Sequence, residues 1–152
     1  MGICLRYGKN REDAEDIFQE AFVRVFKSIH KIEKTESLDA WVKRIVINTA
    51  INYFHKNKKH YGHLNQDFLY ENDGYENYKK IIGKLSNEEL LELINNLPDG
   101  YRMVFNLYVI EGYSHKEIAD ILKTNSANTK VQLSKAKKAL KNMIARLNFV
   151  RL

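Results

Sequence analysis

The side chains best suited to chemistry are lysines and amides within residues 111–141, EGYSHKEIADILKTNSANTKVQLSKAKKALK. Ammonium groups pair with phosphates, and an amide can form two hydrogen bonds with a base edge. These groups therefore suit noncovalent recognition of nucleic acid. No Asp or Glu follows Asp120, so the C-terminal part of the sequence carries one sign of charge. The polar side chains concerned are Lys130, Gln132, Ser134, Lys135, Lys137 and Lys138.

Two predicted helices would position these side chains. Ser114 and Glu117 have the spacing of a capping box and predict the start of a short helix. Residues 123–125 break the apolar pattern, and Asn125 or Ser126 can cap a second helix. The apolar stripe of that second helix comprises Val131, Leu133, Ala136 and Leu140. A short helix, a turn and a basic helix predict a helix-turn-helix that reads the major groove. The alternative is a helical hairpin with a solvated lysine face.

Signatures of catalysis or metal binding are lacking in the sequence. It contains no glycine-rich phosphate loop and no nucleophile elbow. His55, His60 and His63 form a loose cluster, but no Cys lies nearby to complete a zinc site. The acidic residues of the first long helix are interpreted as a docking surface or as a complement to the helix dipole. They are Glu12, Asp13, Glu15, Asp16 and Glu20. We therefore predict a protein that is not an enzyme and uses no cofactor, metal or small-molecule substrate.

Composition favours an all-α protein with an anionic partner. The 152 residues carry a net charge of +6, with 44% hydrophobic residues and one proline. Val and Ile recur at helical spacing and do not alternate as in strands. The sequence has no apolar run long enough to span a membrane and no secretion signal, and Cys4 has no partner for a disulfide. These features predict a cytoplasmic location.

The first half of the sequence predicts two long helices after a short one within residues 1–9. Asn10 or Asp13 would open a helix from Arg11 to about His30, with acidic residues first and basic residues last. Its apolar stripe is wider than one buried face needs, so either part of it meets a partner or all of it is core. The stripe comprises Ile17, Phe18, Ala21, Phe22, Val25, Phe26 and Ile29.

Ser37 is predicted to cap the next helix, from Leu38 to about His55. Its inward residues would be Leu38, Trp41, Ile45, Thr49 and Ile51. Another face carries Lys43, Arg44, Asn48, Asn52 and Lys56. Cations, amides and a nearby ring suit single-stranded or melted DNA, since they offer phosphate contacts, base-edge bonds and stacking. Each of these residues alone is ordinary surface, and Trp41 alone is typical of a core residue.

A polar linker over residues 60–85 is predicted to separate two helical modules, residues 1–59 and 86–148. In the second module, Ser86 caps a helix over residues 87–96. A turn over residues 97–100 and a helix over residues 101–110 follow, and Gly112 ends that helix. These two helices would support the helix-turn-helix.

Several stretches resemble the sigma-70 family of RNA polymerase sigma factors. DAEDIFQEAFVRVFKSI (residues 13–29) resembles the polymerase-binding helix, and SLDAWVKRIVINTAINYF (37–54) resembles the promoter −10 recognition helix. LPDGYRMVFNLYVIEGYSHKEIADIL (97–122) with KVQLSKAKKAL (130–140) is similar to the −35-reading module. The two-module layout is similar to the extracytoplasmic-function (ECF) subfamily. The resemblance implies a further helix before Met1, so we expect the first module to be truncated at its N-terminus.

The resemblance implies three sets of contacts, with core RNA polymerase and promoter DNA as partners and an anti-sigma factor as a further partner. The β′ clamp helices of polymerase would meet Asp16, Gln19, Glu20, Phe22 and Arg24. The −10 element would meet Lys34, Thr35, Ser37, Leu38, Trp41, Arg44, Asn48 and Asn52. The −35 groove would meet Thr129, Lys130, Val131, Gln132, Ser134, Lys135 and Lys138. Gln132 is the best candidate for a base-edge contact, and the lysines for phosphates.

The sequence departs from the family pattern where Lys123 replaces the usual Gly of the turn, and where Ala127-Asn128 replaces Gly-Thr at the start of the recognition helix. A single aromatic, Trp41, stands where housekeeping members have two, which implies weaker melting and stricter promoters. Two other functions fit part of the sequence: a helix-turn-helix regulator that works without polymerase, and an adaptor that binds protein through the acidic helix.

Overall fold

The computed structural model describes residues 1–33, 37–58 and 85–150, with side chains as far as residue 147. The chain folds as two compact units. Unit 1 is described over residues 1–33 and 37–58, and unit 2 over residues 85–150. Helices and turns account for the described residues, which confirms the all-α prediction with two helical modules. The predicted linker over residues 60–85 lies outside the described residues except for Leu85.

The described part of unit 1 contains three α-helices, and the second and third start at the predicted caps. They are α1 (Gly2–Tyr7), α2 (Arg11–Ser28, followed by a 3-10 turn at Ile29–Lys31) and α3 (Leu38–Asn57). The Asn10 side chain accepts a hydrogen bond from the Asp13 backbone N–H at 2.8 Å, so Asn10 is the cap of α2. The Ser37 hydroxyl accepts one from the Ala40 N–H at 3.2 Å and caps α3.

The three helices of unit 1 share one core. Its buried apolar residues are Cys4, Tyr7, Ala14, Ile17, Ala21, Trp41, Ile47, Ala50 and Ile51. Gly8 allows the turn after α1 to approach α2, because a Cβ there would lie 2.7 Å from the Ala14 backbone nitrogen. The prediction that Leu38 faces inward is wrong, since its side chain is 52% exposed. Trp41 is the first buried residue of α3, so the apolar stripe extends one turn beyond the packed part of the helix.

Over residues 85–150, unit 2 contains four α-helices, and two of them begin with complete capping boxes. They are α4 (Asn87–Asn95), α5 (Asp99–Phe105, continued by a π-helical turn at Asn106–Ile110), α6 (His115–Leu122) and α7 (Ser126–Val150). Ser86 and Glu89 exchange bonds of 3.2 and 2.8 Å between side chain and backbone, as do Ser114 and Glu117. Both predicted capping boxes are confirmed. Each satisfies backbone N–H groups that a helix start leaves without partners.

The prediction for the start of α5 needs correction. Asp99 and Gly100, predicted in a turn, form the first turn of α5, with Pro98 preceding it in an extended conformation. The Asp99 carboxylate lies 2.6 Å from a guanidinium nitrogen of Arg102, a buried residue. Arg102 also donates to the Leu97 carbonyl at 3.1 Å. An acidic residue in the first turn complements the helix dipole, so Asp99 extends the helix toward Pro98.

Helix α7 packs against α5 and α6. One buried cluster joins Leu97 to Ala136 and Ala139, where small side chains let the helices approach. The prediction that Val131 belongs to the apolar stripe is wrong, since it is 52% exposed while Leu133 is buried. Two residues along an α-helix differ by about 200°, so Val131 and Leu133 lie on opposite sides. Among the described residues, no helix combines the length and apolarity needed to cross a membrane.

Candidate binding surfaces

The exposed face of α7 carries most of the lysines predicted to approach duplex DNA. Side chains at five of the predicted positions, together with that of Lys137, are exposed: Lys130, Val131, Ser134, Lys135, Lys137 and Lys138. The Asn125 side chain accepts a hydrogen bond from the Asn128 backbone N–H at 2.8 Å, so it caps the start of this helix. The face therefore begins at a fixed helix terminus and carries four lysines with no acidic residue among them.

The turn between α6 and α7 is tight. Lys123 has φ +55° and ψ +50°, a left-handed conformation that costs a side-chain-bearing residue more than glycine. The Thr124 N–H donates to the Ala119 carbonyl at 2.9 Å and closes the end of α6. The Asn128 amide donates to the Thr124 hydroxyl at 2.8 Å, which ties the turn to α7. The strained lysine therefore sits inside a turn that is bonded on both sides.

Thr129 is fully buried, so its side chain does not belong to the exposed face. Its hydroxyl lies 2.9 Å from the Ser126 carbonyl and 3.1 Å from Nδ1 of His115. The His115 ring stacks on Tyr108 with centroids 4.4 Å apart. Thr129 thus holds the start of α7 against α6, and this geometry does not support the predicted DNA contact by its side chain. The spacing of Thr129 to Leu133 and Ala136 matched the inward stripe and could have indicated this.

Gln132 is half-buried, unlike its lysine neighbours. A Cβ added to Gly100 would lie only 3.1 Å from the side-chain oxygen of Gln132. The amide therefore rests against the first turn of α5, in a space that exists because residue 100 has no side chain. The sequence did not reveal Gly100 as a neighbour of Gln132, the predicted base-reading residue.

Helix α3 exposes the polar face predicted for the −10 strand. Arg44, Asn48 and Asn52 recur every four residues along one side, and all three are exposed. Trp41 is only 5% exposed and packs in the core of unit 1, so its ring is not available as an exposed stacking surface in this conformation. Ser37 is exposed, as is Leu38. Lys34 and Thr35, also predicted to contact this strand, lie outside the described residues.

Helix α2 carries an exposed aromatic row. Phe18, Phe22 and Phe26 are 40%, 52% and 66% exposed, and their ring centroids lie 6.0 and 4.8 Å apart. Large apolar side chains grouped on a surface favour a protein partner. The width of the predicted stripe thus has an explanation, since Ile17 and Ala21 fill the core and the phenylalanines remain outside.

The charged side chains of the predicted docking set lie on another side of α2, since Glu20 is two residues from both Phe18 and Phe22 and thus about 200° from each around the helix. Asp16 and Gln19 are exposed, while Glu20 and Arg24 are half-buried. The Glu20 carboxylate lies 2.6 Å from a guanidinium nitrogen of Arg24 and 3.9 Å from the ammonium of Lys56 on α3. The five residues predicted to meet polymerase thus lie on one helix within nine positions, but Phe22 lies on a different side of that helix from Asp16, Glu20 and Arg24.

Helix α3 also reaches α2 through Tyr53, which sequence analysis missed. Its hydroxyl oxygen lies 2.8 Å from Oδ1 of Asp13 and 3.4 Å from Oδ2 of Asp16. The residues are 40 and 37 positions apart in the chain, so no local pattern could reveal the contact.

Groups able to hold a metal ion are not found among the described residues. Two of the three clustered histidines, His60 and His63, lie outside that part of the chain. Burial raises the pKa of the Cys4 thiol, which favours the protonated and less nucleophilic form.

The fold and these surfaces together define a helical protein of two units with a helix-turn-helix in the second. Comparisons identify the family. The sigma-70 region 2 model matches residues 1–60, and the sigma-70 region 4 model matches residues 87–140. The chain belongs to the sigma-70 family of RNA polymerase sigma factors, in the ECF subfamily.

Curated relatives match along most of the chain. The ECF RNA polymerase sigma factor SigW of Bacillus subtilis is 31% identical over 153 residues, covering 93% of this chain and 81% of the relative. The ECF RNA polymerase sigma-E factor of Haemophilus influenzae is 28% identical over 156 residues, covering 94% and 80%.

A solved structure shares the fold. It is the sigma factor RpoE from Bartonella quintana, in a co-crystal with the anti-sigma factor NepR. The TM-score is 0.56 with 18% identity, covering 95% of this chain and 88% of that one.

Proposed function

We propose that this sigma factor engages three partners through three separate surfaces. Helix α2 binds the β′ clamp helices of core RNA polymerase, α3 holds the −10 strand and α7 reads the −35 duplex. One observation carries the proposal: Arg44, Asn48 and Asn52 on α3, and Lys130 and Lys135 on α7, are all exposed. Positively charged and amide side chains are thus available on the two helices that correspond to promoter-reading elements.

The docking surface of α2 combines charge with apolar area. Asp16 and Glu20 offer carboxylates to basic side chains of polymerase, and Phe22 offers a ring on another side of the same helix. The arginine and lysine now near Glu20 are only partly buried, so their pairing with it is weak and can be exchanged for partner residues. Gln19 and Arg24 supply further polar contacts at the same surface.

The −10 surface of α3 traps unpaired bases. Arg44 neutralises phosphates, while Asn48 and Asn52 offer amides to base edges. Binding of the unpaired strand offsets part of the cost of opening the duplex. Trp41 contributes by packing inside unit 1, where it fixes α3 on the core and thereby positions this polar face. Ser37 and Leu38 at the start of α3, with the preceding Lys34 and Thr35, complete the proposed strand-binding set.

The −35 surface of α7 lies in the major groove. Lys130, Lys135 and Lys138 contact phosphates, and Val131 and Ser134 lie toward the bases. Gln132 reads a base edge when its amide turns outward from Gly100. Thr129 acts from inside, by holding the first turn of α7.

Further aspects of the function follow from the family. The protein works in the cytoplasm, where core polymerase and promoter DNA are found, and it acts by binding and not by catalysis. An anti-sigma factor is a further partner, and the exposed phenylalanines of α2 offer apolar area for it.

Charge reversal at the docking surface tests the proposal. Asp16→Lys combined with Glu20→Lys should strongly reduce binding to core polymerase, because like charges would face each other in the interface. The measurement is a titration of labelled core enzyme with the full chain. Binding to a duplex −35 fragment is measured in parallel and should change little.

A matched control keeps the same change in net charge. Glu88→Lys with Glu92→Lys makes the same charge change at exposed positions of α4 in unit 2. This variant should bind core polymerase about as well as the unaltered chain. If the Asp16 and Glu20 variant holds core polymerase as well as the unaltered chain, the docking assignment is wrong.

A further inference from the structure

Tyr53 connects the two functional helices of unit 1. From α3, its hydroxyl reaches Asp13 Oδ1 at 2.8 Å and Asp16 Oδ2 at 3.4 Å on α2. The two aspartates are three positions apart, so they lie one above the other on the same side of α2. One phenol group is therefore shared between a carboxylate of the core and a carboxylate of the proposed docking surface.

Burial makes this contact consequential. Asp13 is 8% exposed, so its carboxylate is largely removed from water and depends on donors within the protein. A phenol has one proton to donate, and the shorter distance assigns it to Asp13. The donor is also close enough to Asp16 to lower the repulsion between the two neighbouring negative charges. Tyr53 thus fixes both the first turns of α2 and the position of Asp16.

A second contact from α3 lies one turn further along. Lys56 follows Tyr53 by three residues, and its ammonium lies 3.9 Å from Glu20, four residues after Asp16. Lys56 is 68% exposed, so solvent weakens this pairing. The two contacts nevertheless follow the same order along both helices. Tyr53 contacts Asp16, and Lys56, three residues later on α3, contacts Glu20, four residues later on α2. The hydroxyl contact to a buried carboxylate is the stronger of the two.

We propose that Tyr53 is a positioning residue for polymerase docking. Through Asp13 and Asp16 it holds the acidic surface of α2 in the orientation that the partner meets. The proposal rests on the proposed docking role of α2. It makes α3, whose other side faces the −10 strand, the element that sets the geometry of the protein-binding surface.

Removal of the hydroxyl tests this inference. Tyr53→Phe keeps the ring and should weaken binding of the full chain to core polymerase by about three- to tenfold, the range expected for loss of one hydrogen bond. Tyr113→Phe is the control, because it removes a hydroxyl from a half-buried tyrosine of unit 2. This variant should bind core polymerase as the unaltered chain does. The fluorescence of Trp41, the one tryptophan of the chain, reports whether unit 1 is folded in each variant.

A double-mutant cycle separates positioning from general stability. In the background of Asp16→Asn, the docking charge is already absent, so Tyr53→Phe should weaken core binding less than it does in the unaltered chain. A purely structural role predicts the same loss in both backgrounds. Equal losses in the two backgrounds, or no loss with Tyr53→Phe, would overturn the proposal.

The charge-reversal variant distinguishes the two levels of failure. If Asp16→Lys with Glu20→Lys weakens core binding and Tyr53→Phe does not, only the role of Tyr53 is rejected. If charge reversal also has no effect, the docking role of α2 is rejected, and the inference about Tyr53 is rejected with it.

Discussion

Helix α2 of unit 1 and helix α7 of unit 2 present different kinds of surface. Helix α2 has exposed apolar residues on one side, namely Phe18, Phe22 and Phe26, and carries the carboxylates Asp16 and Glu20 on another. The exposed face of α7 is dominated by lysines, with Val131 as its large apolar residue. Apolar area with mixed charge suits a folded protein partner, whereas one sign of charge suits phosphates. The comparison supports the proposal that unit 1 binds protein with its first long helix and unit 2 binds duplex DNA with its last.

Both units have capped helix starts and contacts between helices, but the contact between His115 and Thr129 in unit 2 spans 14 positions and those in unit 1 span more. In unit 2, Ser86 and Ser114 close capping boxes within three residues of sequence. In unit 1, the cross-helix contacts of Tyr53 and Lys56 connect residues 36 to 40 positions apart. Local bonds define a helix end, while long-range bonds define how two helices cross. Substitutions should therefore have different signatures in the two units.

The largest expected effect is on the surface of α7. Lys130→Ala with Gln132→Ala should abolish transcription from a −35-dependent promoter, because a phosphate contact and a base-edge contact are lost together, the latter alone worth about 1–3 kcal/mol. Core polymerase binding should be unchanged, since the proposed docking surface lies on α2. The measurement is run-off transcription with reconstituted holoenzyme.

Lys116→Ala provides the control for this variant. It removes a positive charge from an exposed position of α6, on the same helix-turn-helix but outside the recognition helix. We expect a smaller loss that is uniform among promoters. An unchanged promoter preference in the Lys130 and Gln132 variant would remove α7 from the −35 assignment.

A matched pair on α2 sharpens the division between core and docking surface. Ile17 is 1% exposed, so Ile17→Ala should lower the free energy of unfolding of unit 1 by about 2–4 kcal/mol. Phe22→Ala, at a position that is 52% exposed, should leave that free energy nearly unchanged and weaken core binding. Urea titrations followed by Trp41 fluorescence report unit 1, and a core-enzyme titration reports docking. The reverse result, with stability lost at Phe22, would place the aromatic row in the core.

A smaller gain is expected at the turn of the helix-turn-helix. Lys123→Gly should stabilise unit 2 by about 1 kcal/mol, because glycine adopts φ +55° without the strain of a Cβ. Lys116→Gly, within α6, should instead lower the stability, by less than about 1 kcal/mol. Circular dichroism during urea unfolding measures both, with the unit 1 transition assigned from Trp41. Equal losses in the two variants would show that the left-handed turn carries no strain.

Sequence patterns predicted what local chemistry controls. Ser114 and Glu117 predicted the start of α6, and the spacing of Arg44, Asn48 and Asn52 predicted a shared exposed face, as found. Leu38 and Val131 were predicted to face the core because they are apolar. Both are exposed, since the packed stripe of each helix does not include them.

The missed features depend on helix crossing. Tyr53 with Asp13 and His115 with Thr129 are pairs from different helices, 40 and 14 positions apart. Whether such residues meet depends on how the helices pack, and a short stretch of sequence does not determine that packing. The burial of Trp41 followed from the ordinary behaviour of a single aromatic residue, and not from the family resemblance.

The smallest expected effect concerns the capping box of α6 and tests the local side of the comparison. Two hydrogen bonds from Ser114 lower the pKa of Glu117 below its ordinary value. The bond from the backbone N–H has the larger effect, and the bond from the hydroxyl has the smaller. A carboxylate whose pKa is lower in the folded state stabilises the fold above its ordinary pKa, and that contribution is lost as pH falls through the lowered value. Glu117→Gln should therefore lose less stability than the unaltered chain between about pH 6 and about pH 3. The difference should be slight because Glu117 is exposed to solvent, and urea titrations at several pH values followed by circular dichroism would measure it. Identical pH profiles would mean that the charge of Glu117 adds nothing to the cap, and that the neutral hydrogen-bonding geometry of Ser114 and residue 117 alone fixes the start of the helix.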